Sequence, residues 1–258
     1  MQSIKISAVI ITLNEERNIQ RCIDSVKDVA DEILVVDSFS TDNTKKIAAS
    51  LGVRFIEHDF EGHIQQKNWA ASQSEFPYVL SLDADEALSE ELKKSVIEVK
   101  NNWKADGYSF NRFTCYCGKW IKHGDYYQEK KLRLWDKRKG KWGGMNPHDQ
   151  FEMKAGSMVK HLKGDLLHFV YYSISQQLLQ IEKFTDIAAH ERFELGIKPS
   201  VFKLMISPTF SFVKNYFFKL GFLDGFYGFV IAVNMAHYTF LKYAKLFELH
   251  NNNRIEKQ

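Results

Sequence analysis

The first hundred residues alternate between short apolar, β-branched runs and segments with helical spacing. Four runs have the character of buried strands: 6–12, 32–37, 53–57 and 78–83. Between them, residues 17–29, 43–51 and 63–74 have helical spacing, and Ser89 caps a helix that runs to about Trp103. Strands that alternate with helices predict an α/β fold, in which a mostly parallel sheet carries helices on both faces.

Polar side chains follow three of these strands at the point where each strand ends. Thr12, Asn14 and Glu15 follow the first strand, Asp37 ends the second and Asp83 ends the fourth. Ligands of open α/β sheets bind at the carboxyl ends of the strands. The sequence therefore predicts a binding site at this edge of the sheet.

Asp83-Ala-Asp85-Glu86 is the strongest local feature. Two carboxylates separated by one residue, just past a buried strand, can both reach one cation in a tight turn. Mg²⁺ or Mn²⁺ prefers oxygen ligands and commonly bridges protein carboxylates to phosphate oxygens. Such an ion would neutralise charge on a departing diphosphate. The alternative is that these acids only cap the next helix.

A loop rich in hydroxyls and acids, Asp37-Ser-Phe-Ser-Thr-Asp-Asn-Thr, follows the second strand. A carboxylate at Asp37 suits ribose hydroxyls or a base N–H, while Thr41 or Asp42 would cap the helix from Asn43. No Gly-x-Gly-x-x-Gly follows the first strand, and no Gly-Lys-Ser/Thr loop occurs. The absence of these two motifs disfavours a dehydrogenase or a P-loop protein.

The pattern changes twice after residue 105. Residues 107–113 and 131–136 resemble strands, residues 174–195 a helix, and residues 201–249 a Phe-rich helical region. We therefore expect a catalytic domain at residues 1–170. Its nucleotide-binding half would be 1–105, its acceptor half 106–170, and a helical, membrane-associating region would occupy 171–258.

The C-terminal region is basic as well as aromatic. From Ser200 to the end there are seven Lys or Arg and three acids. Lysines beside aromatics are typical of helices at a membrane interface. Residues 222–240 are the most apolar, but Asp224, Asn234 and His237 interrupt a stretch already short of the roughly 20 residues that a span needs. We expect binding to an anionic membrane surface and no nucleic-acid partner; a packed hairpin or a homo-oligomer interface is the alternative.

The N-terminal residues and the cysteines bear on location. Residues 1–12 lack the basic and apolar regions of a signal peptide. Three cysteines, an odd number, favour a reducing compartment, and Cys115-x-Cys117 is only a weak indication of metal binding. We expect a cytoplasmic protein, peripheral on the inner face of the cell membrane.

Four motifs occur in order: Thr12-Leu-Asn-Glu-Glu, Asp37-Ser-x-Ser-Thr-Asp-x-Thr, Gln66-Lys-Asn68 and Asp83-Ala-Asp-Glu86. Together they resemble glycosyltransferase family 2, whose members have the GT-A fold. Five later segments are similar to bacterial β-1,4-glucosyltransferases of lipopolysaccharide inner-core assembly: Trp120-Ile-Lys-His-Gly-Asp-Tyr-Tyr, Lys131-Leu-Arg-Leu-Trp, Pro147-His-Asp149, Gly164-Asp-Leu-Leu-His-Phe and Gly221-Phe-Leu-Asp-Gly.

The resemblance implies a role for each residue at the sheet edge. It places Thr12, Asn14 and Glu15 along the nucleotide pocket, Asp37 against the nucleoside, taken to be uridine, and Lys67 near the sugar or phosphates of the donor. Of the pair Asp83 and Asp85, it favours Asp85 as the metal ligand. Arg133, between Leu132 and Leu134, would bind a phosphate or lie on an exposed strand face.

Family 2 enzymes invert the anomeric centre, so the resemblance also implies a base opposite the leaving group. Relatives carry His-Glu where this chain has His148-Asp149, which makes Asp149 the candidate base, with Glu152 and Glu86 as alternatives. His168 would complete the metal ligands; alternatively it is a buried structural histidine between Leu167 and Phe169.

These expectations define a metal-dependent inverting glycosyltransferase (a hexosyltransferase) that uses Mg²⁺ or Mn²⁺. It would move a sugar from a nucleotide-sugar donor, expected to be a UDP-sugar, to a lipid-linked glycan of the lipopolysaccharide core or another envelope glycan. A nucleotidyltransferase is one alternative, but it would carry a Gly-rich basic loop after the first strand. A non-catalytic nucleotide- or sugar-binding module is another, but it would not need both Asp83 and Asp85.

Overall fold

The computed structural model describes residues 3–127, 129–145 and 148–255. The strands are β1 (Ile6–Thr12), β2 (Glu32–Asp37), β3 (Arg54–Glu57), β4 (Tyr78–Asp83), β5 (Glu86–Leu88), β6 (Gly107–Tyr116), β7 (Lys119–Trp120), β8 (Glu129–Asp136), β9 (Gly140–Met145), β10 (His148–Met153) and β11 (Val159–Tyr171). The helices are α1 (Ile19–Val26), α2 (Thr44–Ser50), α3 (His63–Ser72), α4 (Glu90–Asn101), α5 (Ile174–Glu194), α6 (Val201–Val213) and α7 (Gly225–Ile255). Pro147 of the predicted motif lies outside the described residues.

The chain forms two compact units. The first contains Met1–Phe113 and Gln128–Phe169, and the second contains Thr114–Tyr127 and Val170–Gln258. The second unit therefore includes a short segment of the strand-rich region as well as the C-terminal helices.

The sheet of the first unit begins with four parallel strands in the order β3-β2-β1-β4. Alternate residues of β1 enter cores on opposite faces: Ala8 and Ile10 pack in one cluster and Val9 in the other. Because both faces are buried, β1, β2 and β4 are apolar along most of their length, and these three strands have the predicted bounds.

Beyond β4 the sheet is antiparallel. Strand β8 pairs with β4 and with β6, and β5 pairs with β11, all in antiparallel register. The predicted parallel arrangement is therefore confirmed for four strands, and the sheet as a whole is mixed.

Helices cover both faces of the sheet, as predicted. On one face α1 contributes Cys22 and Ile23 and α4 contributes Leu92 to the core. On the other face α3 contributes Ala70, beside the paired strands β9 and β10 with Trp142 and Phe151. The predicted cap is confirmed, because Ser89 Oγ accepts a hydrogen bond from the Leu92 backbone N–H at 3.2 Å.

One side chain fastens the β9–β10 hairpin to α3. The Asn68 amide donates from Nδ2 to the Trp142 carbonyl at 2.9 Å and accepts at Oδ1 from the Trp142 N–H at 2.9 Å. The indole of Trp142 is buried and lies edge-on to that of Trp135, with ring centroids 5.4 Å apart. The hairpin is thus fixed by an amide clamp and by an aromatic core.

The second unit consists mainly of α5, α6 and α7, with α7 packed against both others. A π-helical turn at Lys214–Phe218 and a 3-10 turn at Gly221–Asp224 join α6 to α7. Gly228 approaches this turn so closely that a Cβ there would lie 1.9 Å from the Gly221 carbonyl oxygen. Among the described residues, no single helix is long and apolar enough to cross a membrane, but α6 and α7 with their turns could do so together as a pair bent by 70°.

We expect Asn68→Ala to destabilise the protein by about 1–3 kcal/mol, because the substitution leaves a backbone N–H and a carbonyl beside the buried Trp142 without their partners. Urea denaturation measures the change. Gln65→Ala, on the exposed side of the same helix, is the control. An equal effect of both substitutions would mean that helix propensity, and not the clamp, sets the loss.

The Lys242 ammonium in α7 gives a second prediction. Burial, and then the nearby Arg192, lower its pKa from 10.5 to about 8. The folded state therefore binds fewer protons than the unfolded state between pH 8 and 10.5, and stability should rise with pH across this window. Because Lys242 is partly accessible, we expect Lys242→Met to stabilise the protein by only about 1–2 kcal/mol at pH 7.

Thermal unfolding at pH 7 and at pH 10 measures this effect. The gain from Lys242→Met should shrink at the higher pH, where the wild-type lysine is largely neutral. The exposed Lys183→Met is the control. A gain that does not depend on pH would contradict the electrostatic explanation.

Candidate active site

The carboxyl ends of β1, β2 and β4 bring the polar residues of three strands to one edge. Thr12 lies opposite Asp37 in the β1–β2 register, and Ile11 lies opposite Asp83 in the β1–β4 register. The Thr12 hydroxyl is buried, and it has no hydrogen-bond partner among the described residues.

The loops after β1 and β2 are joined by hydrogen bonds. Asn14, whose φ is 55°, donates its N–H to Ser40 Oγ at 2.7 Å and accepts at Oδ1 from the Thr41 N–H at 2.8 Å. Asp37 is buried, and its carboxylate accepts from the N–H and the hydroxyl of Ser40 at 2.7 and 2.5 Å. Asn14 and Asp37 therefore shape the wall of the site, whatever else they bind.

Asp42 connects the same loops to the start of α2. Its carboxylate accepts from the Thr44 N–H at 2.9 Å and from the Glu16 N–H at 3.0 Å. The helix begins at Thr44, one residue later than predicted, and Asp42 satisfies an N–H of its first turn.

Glu15 has a strongly perturbed carboxyl group. Burial, followed by the charges of Asp85, Asp42 and Asp83, raises its pKa to about 7, against a lowering hydrogen bond from Asn18. The Asn18 amide donates to Glu15 Oε2 at 2.7 Å. The Glu15 carboxyl group is therefore partly protonated near neutral pH.

A buried lysine joins two carboxylates at the centre of the edge. Lys67 Nζ lies 3.0 Å from Asp83 Oδ1 and 2.8 Å from Asp149 Oδ2, and the lysine is only 4% exposed. It also lies 4.6 Å from the ring centroid of Trp142. Helix α3, strand β4 and strand β10 are thus connected through one ammonium group.

Arg133 completes this network from β8. Its Nη2 donates to Asp83 Oδ2 at 2.8 Å and to Glu86 Oε1 at 2.9 Å. Burial alone would raise the pKa of Asp83, but Lys67 and then Arg133 outweigh it and hold that pKa well below its usual range. Arg133 is 3% exposed, so the alternative of an exposed strand face is wrong.

Asp85 lies apart from these cations. Its Oδ2 is 3.3 Å from His168 Nε2, and the Asp85 carbonyl accepts from the Phe169 N–H at 2.9 Å. The Nδ1 atom of His168 is buried, with no hydrogen-bond partner among the described residues. The two acids of the Asp-x-Asp motif thus differ, since Asp83 neutralises cations and Asp85 faces a histidine.

The pair Asp85 and His168 suits a divalent ion. Two cis ligands of an octahedral Mg²⁺ are separated by about 3 Å, close to the 3.3 Å between Nε2 and Oδ2. Across the residues that the structure describes, no group of three or more His, Cys, Asp or Glu side chains is arranged to hold a metal. An ion here would therefore take its remaining ligands from a phosphate-bearing ligand and water.

The two alternative bases, Glu86 and Glu152, have surroundings that differ from those of Asp149. Glu86 is buried and is used by Arg133 and by the Asp83 N–H, which donates to its Oε2 at 3.1 Å. Glu152 is exposed and lies over Gly143, where a Cβ would come within 2.6 Å of its carboxyl group. Asp149 and Asp83 both contact Lys67 Nζ, so the two carboxylates lie at the same edge.

Sequence reasoning missed Gln66 and the structural role of Glu86. Gln66 is buried; it donates from Nε2 to Ser38 Oγ at 3.1 Å, and its Oε1 lies 2.8 Å from His58 Nδ1. The available signal was the run of three consecutive polar residues, Gln66-Lys67-Asn68, within one predicted helix. In the structure these three side chains contact three different parts of the site.

Comparisons with known proteins identify the family of this chain. A family model described as glycosyl transferase family 2 matches residues 7–164. An uncharacterized glycosyltransferase of Rickettsia typhi is 32% identical over 97% of this chain and 89% of its own length. The lipopolysaccharide core biosynthesis glycosyltransferase LpsC of Rhizobium meliloti is 30% identical over 95% of this chain and 93% of its own.

Among solved structures, glucosyl-3-phosphoglycerate synthase from Mycobacterium tuberculosis, in complex with Mn²⁺, UDP and glucosyl-3-phosphoglycerate, is 23% identical. The match covers 43% of this chain and 44% of that one, with a TM-score of 0.36. The predicted α/β fold of GT-A type with a C-terminal helical appendage is confirmed. Since the family model covers more than half of the sequence and the relatives align along nearly all of it, the chain belongs to glycosyl transferase family 2.

Proposed function

We propose that this glycosyltransferase is metal-dependent and inverting, and that it moves a hexose from a UDP-sugar to a lipid-linked glycan of the bacterial envelope. The observation that carries the proposal is the arrangement around Lys67: one buried ammonium holds Asp83 and Asp149, while Asp85 faces His168 at the same edge. Leaving-group and base functions are thus next to each other.

Asp85 and His168 would hold Mg²⁺ or Mn²⁺ together with oxygens of the donor diphosphate. The ion supplies positive charge to the departing diphosphate. Lys67 is close enough to this region to add a second positive charge, because its ammonium already contacts Asp83, two residues from Asp85. Thr12, Asn14, Glu15 and Asp37 would form the nucleotide-binding wall, and their loop contacts support this by holding the wall rigid.

Asp149 would act as the base. The acceptor hydroxyl oxygen forms the new bond to the anomeric carbon while the bond from that carbon to the diphosphate oxygen breaks. The hydroxyl proton passes to the Asp149 carboxylate, and the bonding electrons leave with UDP. Lys67 Nζ contacts the Asp149 carboxylate at 2.8 Å in the free protein, and movement of Lys67 towards the diphosphate would free that carboxylate to accept the proton.

Arg133 acts in this proposal as a positioning residue for Asp83. It is engaged by Asp83 and Glu86, so a phosphate contact would require it to exchange partners. Family membership favours a glycosyltransferase over the nucleotidyltransferase and the non-catalytic binding module considered above.

A lipopolysaccharide core acceptor is supported by the LpsC relative, which aligns with this chain almost from end to end. We place catalysis in residues 1–170, with the donor in 1–105 and the acceptor in 106–170, and membrane association in 171–258. A lipid-linked acceptor is consistent with a cytoplasmic protein that is peripheral on the inner face of the cell membrane.

The metal assignment predicts the behaviour of Asp85→Asn. A neutral amide is a poor ligand for Mg²⁺ or Mn²⁺, so the variant should lose the part of UDP affinity that depends on Mn²⁺ and keep its fold. Calorimetry with UDP, with and without Mn²⁺, measures this. Asp28→Asn, on the exposed surface, should behave as wild type. Unchanged Mn²⁺-dependent affinity in Asp85→Asn would contradict the assignment.

The base assignment predicts that Asp149→Asn slows transfer by roughly 10²–10⁴, the usual contribution of a general base. UDP affinity should stay within about threefold, because Lys67 keeps its contact with Asp83. The readout is sugar transfer to a lipid-linked acceptor beside calorimetry with UDP. Glu152→Gln is the matched control. If Glu152→Gln is the slower variant, the base is Glu152.

A further inference from the structure

The second unit exposes an unusual amount of apolar surface. Of the 26 large apolar side chains that are exposed among the described residues, 16 lie between Leu195 and Phe240, and eight of these are Phe. Aromatic side chains bury about 150–250 Å² each, so half-exposed side chains in this number present on the order of 1,000 Å². The largest apolar patch on a typical monomer is roughly 300–600 Å².

Five of these side chains lie on one face of α6. The exposed positions are Val201, Phe202, Met205, Ile206 and Phe210, which recur at helical spacing. Helix α6 packs against α7 on its other side. Helix α6 therefore exposes apolar side chains on the side that faces away from α7.

The same surface continues through the turn and along α7. Phe217, Phe218 and Phe222 are exposed in the turn, and Phe226 and Phe229 begin a stripe on α7. Ring contacts join the elements, since Tyr216 lies 5.7 Å from Phe229 and 6.2 Å from Phe222 between ring centroids. We call the exposed apolar side chains of residues 201–233 the apolar face.

Three polar residues that interrupt this region in the sequence point inward, whereas Lys219 and His237 are exposed. Asp224 is 4% exposed and accepts from the His123 and Lys122 N–H groups at 2.8 and 3.2 Å. Asn215 is also buried and accepts from the Asp125 N–H at 3.0 Å. Asn234 is buried and donates to Gln177. The apolar face is therefore more continuous than the sequence suggests.

Lysines lie along one margin of the apolar face. Lys203 is exposed beside Phe202, and Lys214 follows eleven residues later. At about 100° per residue these two positions project from the same side of the helix, within roughly 20° of each other. Cationic side chains at the margin of a Phe-rich face complement an anionic lipid surface.

We propose that the apolar face is a docking surface for an anionic lipid bilayer, with the turn at residues 217–226 entering to the boundary between headgroups and acyl chains. The bend of 70° between α6 and α7 places the turn at the apex of a wedge. Lys203 and Lys214 then remain at headgroup level. The proposal deepens the membrane association proposed above for residues 171–258 and rests on it. Because vesicle binding requires neither donor nor acceptor, its failure would leave the proposed catalysis in the first unit untouched.

The test is flotation of the full-length protein with vesicles of phosphatidylcholine alone, or with an equal part of phosphatidylglycerol. A triple variant, Phe218→Ser, Leu223→Ser and Phe226→Ser, removes apolar contacts at the apex. The double variant Leu178→Ser and Leu179→Ser removes exposed leucines of α5 outside the apolar face and is the matched control. Thermal unfolding confirms that all variants are folded.

We expect the triple variant to lose at least about tenfold in partition to both kinds of vesicle, and the control to bind as wild type. Lys203→Gln with Lys214→Gln should lose about fivefold per lysine on anionic vesicles and almost nothing on neutral ones. Salt should mimic the lysine variant.

Two results would overturn the proposal. One is a folded triple variant that binds anionic vesicles as well as the wild type. The other is a wild type that ignores all vesicles and is a dimer in solution, with the triple variant monomeric; the apolar face would then be an interface between two copies of the chain.

Discussion

A single buried ammonium group organises the first unit at its functional edge. Lys67 is only 4% exposed, so bulk water does little to stabilise its charge. The carboxylates of Asp83 and Asp149 stabilise the ammonium group instead. Three elements that are distant in sequence must therefore meet at fixed separations. The neighbouring amide of Asn68 secures the same hairpin through uncharged hydrogen bonds, which keeps Asp149 in place if Lys67 changes partners.

The parallel half of the sheet was predictable because strands that are buried on both faces have mostly apolar sequences. Apart from Ser7, Ser81 and the initial Glu32, strands β1, β2 and β4 consist of apolar residues up to a polar last residue, and their bounds agree with the prediction. The antiparallel half was less predictable. The pairing of β8 with β4 joins residues about fifty positions apart, and local periodicity contains no information about such partners.

Single side chains at the candidate site were predictable only as residue types. The Asp-x-Asp motif indicated a metal, and the family resemblance favoured Asp85 over Asp83 as its ligand. The different contacts of the two acids are visible only in the tertiary structure, where Asp83 meets Arg133 and Lys67 and Asp85 faces His168. Asn14 and Asp37 were predicted to face a nucleotide, and the structure shows that they also hold the loops together. In the sequence, Asp224 interrupts an apolar stretch and so argued against a membrane span. In the structure its carboxylate points into the protein.

The balance of charge at the sheet edge has a kinetic consequence. Four carboxylates, those of Asp83, Asp85, Glu86 and Asp149, lie near only the two cations Lys67 and Arg133 in the network described above, and the pKa of the neighbouring Glu15 is raised to about 7. If the proposed function holds, this field would repel a bare diphosphate more than a diphosphate that carries a divalent ion. Nucleotide and ion would then enter as one complex, and the spent nucleotide would leave with the ion or after releasing it.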